Sequence, residues 1–307
     1  MTRAEEFEQL RPLLFSIAYR ILGSVSEAED AVQESWLRFD ASPTQPTSTK
    51  AFLSAVVTRI SIDVLRSARV RREEYVGQWL PEPLLADPYE DPARSAELAD
   101  SVSTAALLLL ERLSARERAV FVLREVFGFG FDEIAAAVGT SEAACRQLAV
   151  RARKHMDEGR PRFEADRRQR AELAGRFFDA FQAGDVDRLR DLLSADAQAT
   201  WDTGGVAPSG RAIVGADAVA RLLLSVLPGL LHVGMVLERH EVNSAPGAVF
   251  RDRDGRVLAT MTLDVLDGQI QMVRSVVNPD KLRHLGPVAS DPWAIVRMAN
   301  EARRAFE

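Results

Sequence analysis

The sequence predicts a multidomain chain in which two all-α domains, the second a helix-turn-helix, are followed by an α+β domain. Three observations lead to this prediction. Apolar residues recur at helical spacing through residues 10–156, in two blocks. A proline-rich acidic stretch separates these blocks. From about Ala171, alternating apolar runs and Asp-Gly pairs are typical of antiparallel hairpins.

The composition suits packed cores throughout, with 47% hydrophobic and 27% charged residues in 307. No apolar stretch approaches the length of a membrane span, and no charged-then-apolar leader opens the chain, so we expect a cytoplasmic protein. The single cysteine, Cys145, argues against an internal disulfide framework. Four scattered histidines and one thiol offer no zinc ligand set, and we expect neither a metal nor another cofactor.

The net charge of −6 argues against nucleic-acid binding until its distribution is considered. Residues 59–72 hold five arginines and one acid, and residues 141–170 hold nine bases and five acids. Residues 73–100, between them, hold eight acids and one arginine. Either basic block alone would usually be a solvated helix face, but two blocks around an acidic connector favour two nucleic-acid contacts.

The first block predicts three helices. The first has its apolar face between Leu10 and Ile21, and Gly23-Ser24 ends it. Ser26 is expected to be the N-cap of a second helix that ends near Phe39. Residues 40–49 predict a loop, and residues 51–71 a long helix with arginines crowded in its C-terminal half.

Residues 77–92 contain four prolines, which cannot lie inside helices, and they predict an extended linker at a domain boundary. Trp79 in this acidic segment is an apolar anchor of the kind that docks in a groove, unless it packs on its own domain. Helices are expected to resume near Ala96. Ser114 and Glu117 then form a capping box.

Residues 131–148 have helix-turn-helix spacing. Ala135 is small where two helices cross, Gly139 suits a left-handed turn, and Ser141 suits an N-cap. Cys145 occupies a position where a buried apolar residue is expected, which favours a small core residue over a redox switch. The remaining face can contact base edges in the major groove through Glu142, Ala143, Arg146, Gln147, Val150 and Arg153.

The third domain predicts two helices near its start and later hairpins at residues 254–255 and 267–268. Residues 293–306 predict a helix in a C-terminal tail. A pocket in this domain could be catalytic if polar residues faced it in pairs, but the sequence alone shows no such pairing among Asp202, His232, His240 and Asp264.

Two N-terminal stretches narrow the function. Residues 26–37, SEAEDAVQESWL, resemble the polymerase-binding helix of extracytoplasmic-function sigma factors of the sigma-70 family. Residues 50–53, KAFL, and 62–66, IDVLR, resemble the promoter-melting helix of that family. Residues 113–154 are similar to its fourth region. The resemblance implies an alternative sigma factor that directs promoter-specific transcription initiation, and not an enzyme.

The resemblance also implies a role for each matching residue. The β and β′ subunits of core RNA polymerase would be partners, and the second helix would clamp β′ through Asp30, Gln33, Glu34 and Trp36. Asp30 and Glu34 share a helix face, which suits an arginine-rich partner. The minus-ten promoter element would contact Thr58, Arg59, Arg66 and Arg69. The minus-thirty-five element would contact Ser141, Glu142, Ala143, Arg146, Gln147, Arg151, Arg153 and Lys154.

Residues 79–83, WLPEP, and 278–282, NPDKL, resemble paired motifs of the sigma factors that carry a SnoaL-like domain, a cone related to ketosteroid isomerases. Residues 202–206, DTGGV, are the nearest counterpart of that group's glycine-rich motif and lack its lysine. The resemblance implies regulation in cis without a separate anti-sigma protein. The contact would join Trp79, Leu80, Pro81, Glu82 and Pro83 to Asn278, Pro279, Asp280, Lys281 and Leu282.

The predicted organisation is sigma region 2 (1–72), linker (73–100), sigma region 4 (101–160), SnoaL-like regulatory domain (168–285) and tail (286–307). Two alternatives remain: a one-component regulator that senses a ligand, and a bifunctional protein with an enzymatic third domain. A one-component regulator would have no use for the helix that carries Asp30 and Trp36. Whether the third domain holds a small ligand stays open.

Overall fold

The computed structural model describes residues 2–73, 75, 77–89, 91, 98–99, 101–159, 167–205 and 212–289, without the side chains of 68–73. The predicted C-terminal helix and the predicted helix start near Ala96 lie outside these residues. The chain forms two compact units. The N-terminal unit contains residues 1–74 and 86–161, and the C-terminal unit contains residues 75–85 and 162–307.

Three helices open the N-terminal unit: α1 (Arg3–Leu22), α2 (Val25–Asp40) and α3 (Thr49–Glu73). Gly23 ends α1 in the left-handed conformation, with φ of 69°, which a residue without a Cβ adopts at little cost. The predicted N-cap at Ser26 is wrong, because helix α2 begins two residues earlier. Ser24 is the cap, and its hydroxyl accepts a hydrogen bond from the Glu27 amide.

The second helical block of this unit includes α4 (Thr104–Leu110) and α5 (Ala115–Phe121). Helix α5 continues as a π-helical turn over Val122–Val126. The predicted capping box of Ser114 and Glu117 starts α5. Helices α6 (Phe131–Val138) and α7 (Glu142–Gly159) follow. No helix in the described part of the chain is long and apolar enough to cross a membrane.

A buried arginine connects α1 to residues far along the chain within the N-terminal unit. The side chain of Arg20 is fully buried and donates hydrogen bonds to Asp87, the Leu98 carbonyl and Ser101 at 2.7–2.9 Å. Its guanidinium lies 5.3 Å from the centre of the Phe127 ring. These partners satisfy a charge that would otherwise be costly to bury.

The C-terminal unit combines helices with a six-stranded sheet. Its helices are α8 (Arg167–Ala183), α9 (Val186–Leu192) and α10 (Ala216–His232). Its strands are β1 (Leu193–Asp202), β2 (Ile213–Val214), β3 (Val236–Val242), β4 (Ala245–Arg251), β5 (Val257–Leu266) and β6 (Gln269–Val276). The strand order is β2-β1-β6-β5-β4-β3, and β1 and β6 are the parallel pair among otherwise antiparallel neighbours.

Aromatic residues of α8 form the centre of the C-terminal core. Phe177, Phe178 and Phe181 are almost completely buried, and Phe181 packs edge-on against Phe250 of β4. The two predicted Asp-Gly hairpins are present between β4 and β5 and between β5 and β6. The architecture is the α+β cone expected from the sequence.

We expect Arg20→Met to lower the free energy of unfolding by about 3–5 kcal/mol, because it leaves Asp87 without its cation and several buried acceptors without a donor. Urea unfolding followed by circular dichroism measures the change. Arg38→Met is the matched control, since the exposed Arg38–Glu34 pair should contribute less than about 1 kcal/mol. Equal losses in the two variants would contradict this role of Arg20.

Candidate functional site

Two of the four residues predicted to bind polymerase line a surface groove between α1 and α2. Gln33 and Trp36 form one wall, Phe7 and Arg11 lie in the other, and the groove measures about 230 Å³. Trp36 is half-buried, and its ring lies 5.1 Å from that of Phe7. The indole therefore packs partly on its own unit and partly faces the groove.

The two predicted acids of α2 have different environments. Asp30 is exposed and has no hydrogen-bond or ionic partner among the described residues. Glu34 is half-buried and accepts a hydrogen bond from Arg38 at 2.9 Å. Of these two acids, Asp30 is therefore the one whose carboxylate is available to a basic partner.

The residues predicted to contact the minus-ten element lie apart in α3. Thr58 is fully buried, because α3 packs against several neighbouring helices and position 58 lies in that packing, so its side chain is not accessible to DNA in this structure. Arg66 is exposed beside Asp63, at 3.7 Å. The side chain of Arg69 lies outside the described residues.

Arg59 contacts the helix-turn-helix inside the N-terminal unit. Its Nε donates to the Ala137 carbonyl at 3.1 Å, and its Nη2 donates to the Ala136 carbonyl. Both carbonyls belong to the C-terminal turn of α6, where a positive charge is favoured. Arg59, which is predicted to contact the minus-ten element, therefore caps α6. This helix is the first of the helix-turn-helix predicted to bind the minus-thirty-five element.

The helix-turn-helix has the geometry that its sequence predicts. Gly139 ends α6 with φ of 70°, and the Ser141 hydroxyl accepts a hydrogen bond from the Ala144 amide at the start of α7. Cys145 is buried in the core, and burial, followed by the charge of Glu142, raises the pKa of its thiol. The predicted base and phosphate contacts are all exposed, on α7 or at its N-cap: Ser141, Glu142, Ala143, Arg146, Gln147, Arg151, Arg153 and Lys154.

Several cations of this helix already have acidic partners. Arg146 pairs with Glu142 at 2.7 Å, Arg151 with Glu117 at 3.1 Å, and Arg153 with Glu125 at 2.6 Å. These arginines are more than half exposed, so solvent screens the pairs and a phosphate or base edge can replace the acids at small cost. Val150 is 67% exposed beside them and offers an apolar contact for a thymine methyl group.

The linker and two distant motifs meet around Asp202 in the C-terminal unit. The Asp202 side chain is fully buried and accepts hydrogen bonds from Lys281 Nζ at 2.6 Å, the Leu80 amide at 2.8 Å and the Tyr75 hydroxyl. We name Tyr75, Trp79, Leu80, Asp202, Asn278 and Lys281 the linker-docking cluster. Burial, then the hydrogen bond and charge of Asp202, raise the pKa of Tyr75 well above its usual value, so the phenol stays a donor.

Lys281 is the cation of this cluster. Its Nζ also donates to the Leu80 carbonyl, and it lies 4.3 Å from the centre of the Trp79 ring and 5.0 Å from that of Tyr75. The two aromatic rings and the Asp202 carboxylate offset the cost of burying the Lys281 ammonium away from water. Trp79 is half-buried here, against its own C-terminal unit.

The rest of the linker motif lies on the same unit. Leu80, Pro81, Glu82, Pro83 and Leu84 are buried. The Leu84 amide donates to Asn243 Oδ1 at 3.2 Å, and the Asn243 amide donates to the Leu84 carbonyl at 2.7 Å. His284 Nε2 lies 2.6 Å from the Pro83 carbonyl oxygen.

Gly204 of the glycine motif packs directly against Asn278 of the C-terminal motif. A Cβ at Gly204 would lie 2.6 Å from the Asn278 side chain, and Gly204 has a φ of 62°, so both space and backbone require glycine. Asn278 in turn donates to the Tyr75 hydroxyl at 2.9 Å. Asp280 lies outside this packing: its side chain is exposed and pairs with Arg283.

The polar residues considered for catalysis do not converge. Asp202 is occupied by the linker, and Asp264 pairs with the buried Arg274 of the neighbouring strand. His232 and His240 are exposed, the first at the end of α10 and the second on β3. Sequence reasoning missed Tyr75 and Asn243, because short polar contacts between distant segments leave no periodic pattern.

We expect Lys281→Met to destabilise the C-terminal unit by about 3–5 kcal/mol, because the buried Asp202 carboxylate loses its cation. A cycle with Trp79→Ala should show coupling of about 0.5–2 kcal/mol from the cation–π contact. Urea unfolding measures both. Arg283→Met, which removes an exposed neighbouring cation, is the control. Additive losses in the double variant would contradict the contact.

Two parts of the chain match models of known protein families. Residues 7–71 match the family model of sigma-70 region 2, and residues 103–156 match that of sigma-70, region 4. The ECF RNA polymerase sigma factor SigJ of Mycobacterium tuberculosis is 40% identical over 286 residues, which cover 90% of this chain and 92% of that protein. The probable ECF sigma factor SigI of the same species is 32% identical over 275 residues, covering 89% and 92%.

The similarity extends to the three-dimensional structure. The crystal structure of M. tuberculosis SigJ superposes with a TM-score of 0.69 at 37% identity, covering 92% of this chain and 98% of that one. The match includes the C-terminal unit as well as both sigma regions. This chain therefore belongs to the extracytoplasmic-function sigma factors, the alternative sigma factors that direct transcription initiation, and it carries a SnoaL-like domain after its two sigma regions.

Proposed function

We propose that this sigma factor is regulated in cis by its own C-terminal unit, which holds the linker between the two sigma regions. The observation that carries the proposal is the linker-docking cluster. The chain leaves the N-terminal unit after residue 74 and re-enters it at residue 86, and the residues between belong to the C-terminal unit. The fused unit thereby takes the role that a separate anti-sigma protein has for other sigma factors.

The contact within one chain favours the docked state. Its effective concentration is on the order of mM, so a weak interface is mostly closed. Five consecutive linker residues are buried, which supplies an apolar contribution beside the polar contacts of Asp202 and Lys281. A ligand or polymerase must then favour the open form by a few kcal/mol to release the linker.

The contact of Arg59 with α6 supports a resting state in which promoter contacts are partly occupied. Arg59 cannot bind the minus-ten strand while its guanidinium caps α6. The two sigma regions pack in one compact unit in this state. We infer that polymerase binding separates them. Elements named minus ten and minus thirty-five lie about 25 base pairs apart, or roughly 85 Å at 3.4 Å per base pair, which exceeds the reach of one compact unit of this size.

The polymerase contact is assigned to the groove between α1 and α2. Trp36 presents part of its indole there, and aromatic side chains of this kind dominate many interfaces. Asp30 supplies an unpaired negative charge nearby. The promoter contact is assigned to α7, with Arg146 and Gln147 on base edges and Arg151, Arg153 and Lys154 on phosphates.

Asp30→Ala should weaken binding to core polymerase about tenfold, because it removes an unpaired acid from the interface. Trp36→Ala should weaken it further, and its fold must be checked because Trp36 packs on Phe7. Competition binding to purified core measures both. Asp40→Ala, an exposed acid at the end of the same helix, is the control. Wild-type affinity in both test variants would refute the assignment.

Arg146→Ala should cost about 1–3 kcal/mol of discrimination at one base pair of the upstream element. Lys154→Ala should weaken binding to all sequences equally and reduce the slope of the salt dependence by about one. Binding to a set of single-base promoter variants at several salt concentrations separates the two effects. An unchanged base preference in the Arg146 variant would move base recognition to Gln147 or Glu142.

Run-off transcription tests regulation. Trp79→Ala and Lys281→Met should each raise activity several-fold by freeing the linker, whereas a chain that ends at Pro161 should lose activity. The double variant should be no more active than either single variant, because both break one contact. Asp280→Ala is the control, since its exposed side chain does not touch the linker. Simple additivity would refute linker docking as the regulatory contact.

A further inference from the structure

A basic cleft lies between α8 and the hairpin of β3 and β4 in the C-terminal unit. Its volume is about 290 Å³, and none of the linker-docking cluster lines it. Its charged and titratable lining consists of Arg167, Arg170, Arg239, His240 and Glu241. Its apolar lining includes Ala171, Ala174, Phe178 and Pro246.

Two of the three arginines of this cleft are neutralised within the unit. Arg167 donates two hydrogen bonds to Glu241, the longer at 2.8 Å. Arg239 pairs with Asp179 of α8, on the opposite side of the cleft. These pairs connect the helix to the edge strand β3, and they leave neither cation in need of a ligand.

Arg170 differs from both. It has no hydrogen-bond or ionic partner among the described residues, and its Nε is buried without an acceptor. A buried N–H group without a partner is unfavourable, and native proteins rarely leave one. Among the described residues, Arg170 is thus the cation of this cleft without an acceptor, and a ligand in the cleft can pair with its guanidinium.

The residues that line the cleft determine which kind of ligand it can bind. One unpaired guanidinium favours a single negative charge, and its planar array of donors matches a carboxylate bidentately. The apolar wall favours a hydrocarbon or aromatic body, and the volume is at the low end for small-molecule sites. We propose that this cleft binds a small monocarboxylate with an apolar body, anchored by Arg170.

One wall of the cleft is connected to the linker. Ser244 lines the cleft, and the preceding residue, Asn243, exchanges two hydrogen bonds with Leu84 of the linker. Both are central residues of the tight turn between β3 and β4, with φ values of 52° and 54°, so a change in the conformation of this turn would involve both. This connection to regulation rests on the proposed function, whereas carboxylate binding does not.

Calorimetric titration of the full chain with octanoate tests the site, without polymerase or promoter. Octanamide tests the need for charge, and inorganic phosphate tests whether any oxyanion suffices. Arg170→Gln should weaken octanoate binding about 10- to 100-fold, the loss expected for a charge-assisted bidentate contact. Arg170→Lys, which keeps the charge without the planar donors, should give a smaller loss. Arg176→Gln, an exposed arginine of α8 outside the cleft, is the control.

Saturable octanoate binding that Arg170→Gln weakens and Arg176→Gln leaves unchanged supports the site. Four results would overturn it: octanamide bound as tightly as octanoate, phosphate bound in preference to octanoate, equal losses in the Arg170 and Arg176 variants, or no saturable octanoate binding by wild type up to about 10 mM. Circular dichroism confirms that each variant is folded. Normal carboxylate binding with unchanged transcription would refute the link to regulation and leave the site intact.

Discussion

The buried ion pair of Lys281 and Asp202 is the interaction on which the arrangement of the linker depends. It joins the end of β1, the turn after β6 and the linker backbone at Leu80 through hydrogen bonds to both side chains. Burying two charges is costly, and a well-packed apolar pair would often be as stable. The ion pair instead fixes the relative positions of the three segments, because its hydrogen bonds are satisfied in one alignment of them. The buried leucines and prolines of the linker supply the apolar contribution.

In the N-terminal unit, arginine side chains likewise connect separate segments of the chain through hydrogen bonds. Arg20, Arg59 and Arg118 each donate to backbone carbonyls of another segment, and Arg20 and Arg118 are almost fully buried. Arg59 differs from these two because it is exposed, so water or phosphate can replace its backbone partners at small cost. The contact between sigma regions at Arg59 is therefore exchangeable, which suits the separation of the two regions that we propose.

The acidic net charge is compatible with DNA binding because several acids are local partners of the arginines that we propose contact DNA. Glu142, Glu117 and Glu125 each neutralise one arginine of α7 in the free protein. The arginine side of each pair is more than half exposed, so phosphate can replace the carboxylate as its partner. The same acids reduce attraction to DNA in general, and binding then depends more on the base contacts of the right promoter.

The sequence by itself determined the helices, the helix-turn-helix and the two hairpins, because each depends on neighbours within one or two turns of chain. Ser114, Gly139 and Ser141 act where local reasoning places them. The sequence also indicated that the linker motif and the C-terminal motif form a contact, through their resemblance to paired motifs.

Tertiary structure alone decided which side chains make that contact and which surfaces remain open. Asp280 was expected among the contacts and is exposed, whereas Tyr75 and Asn243 were not expected and touch opposite ends of the docked linker. Thr58 is buried because α3 packs against other helices on several sides, which its own periodicity does not show. These outcomes depend on hydrogen bonds between residues up to two hundred positions apart, and the direction of a side chain there is set by the packing of whole elements.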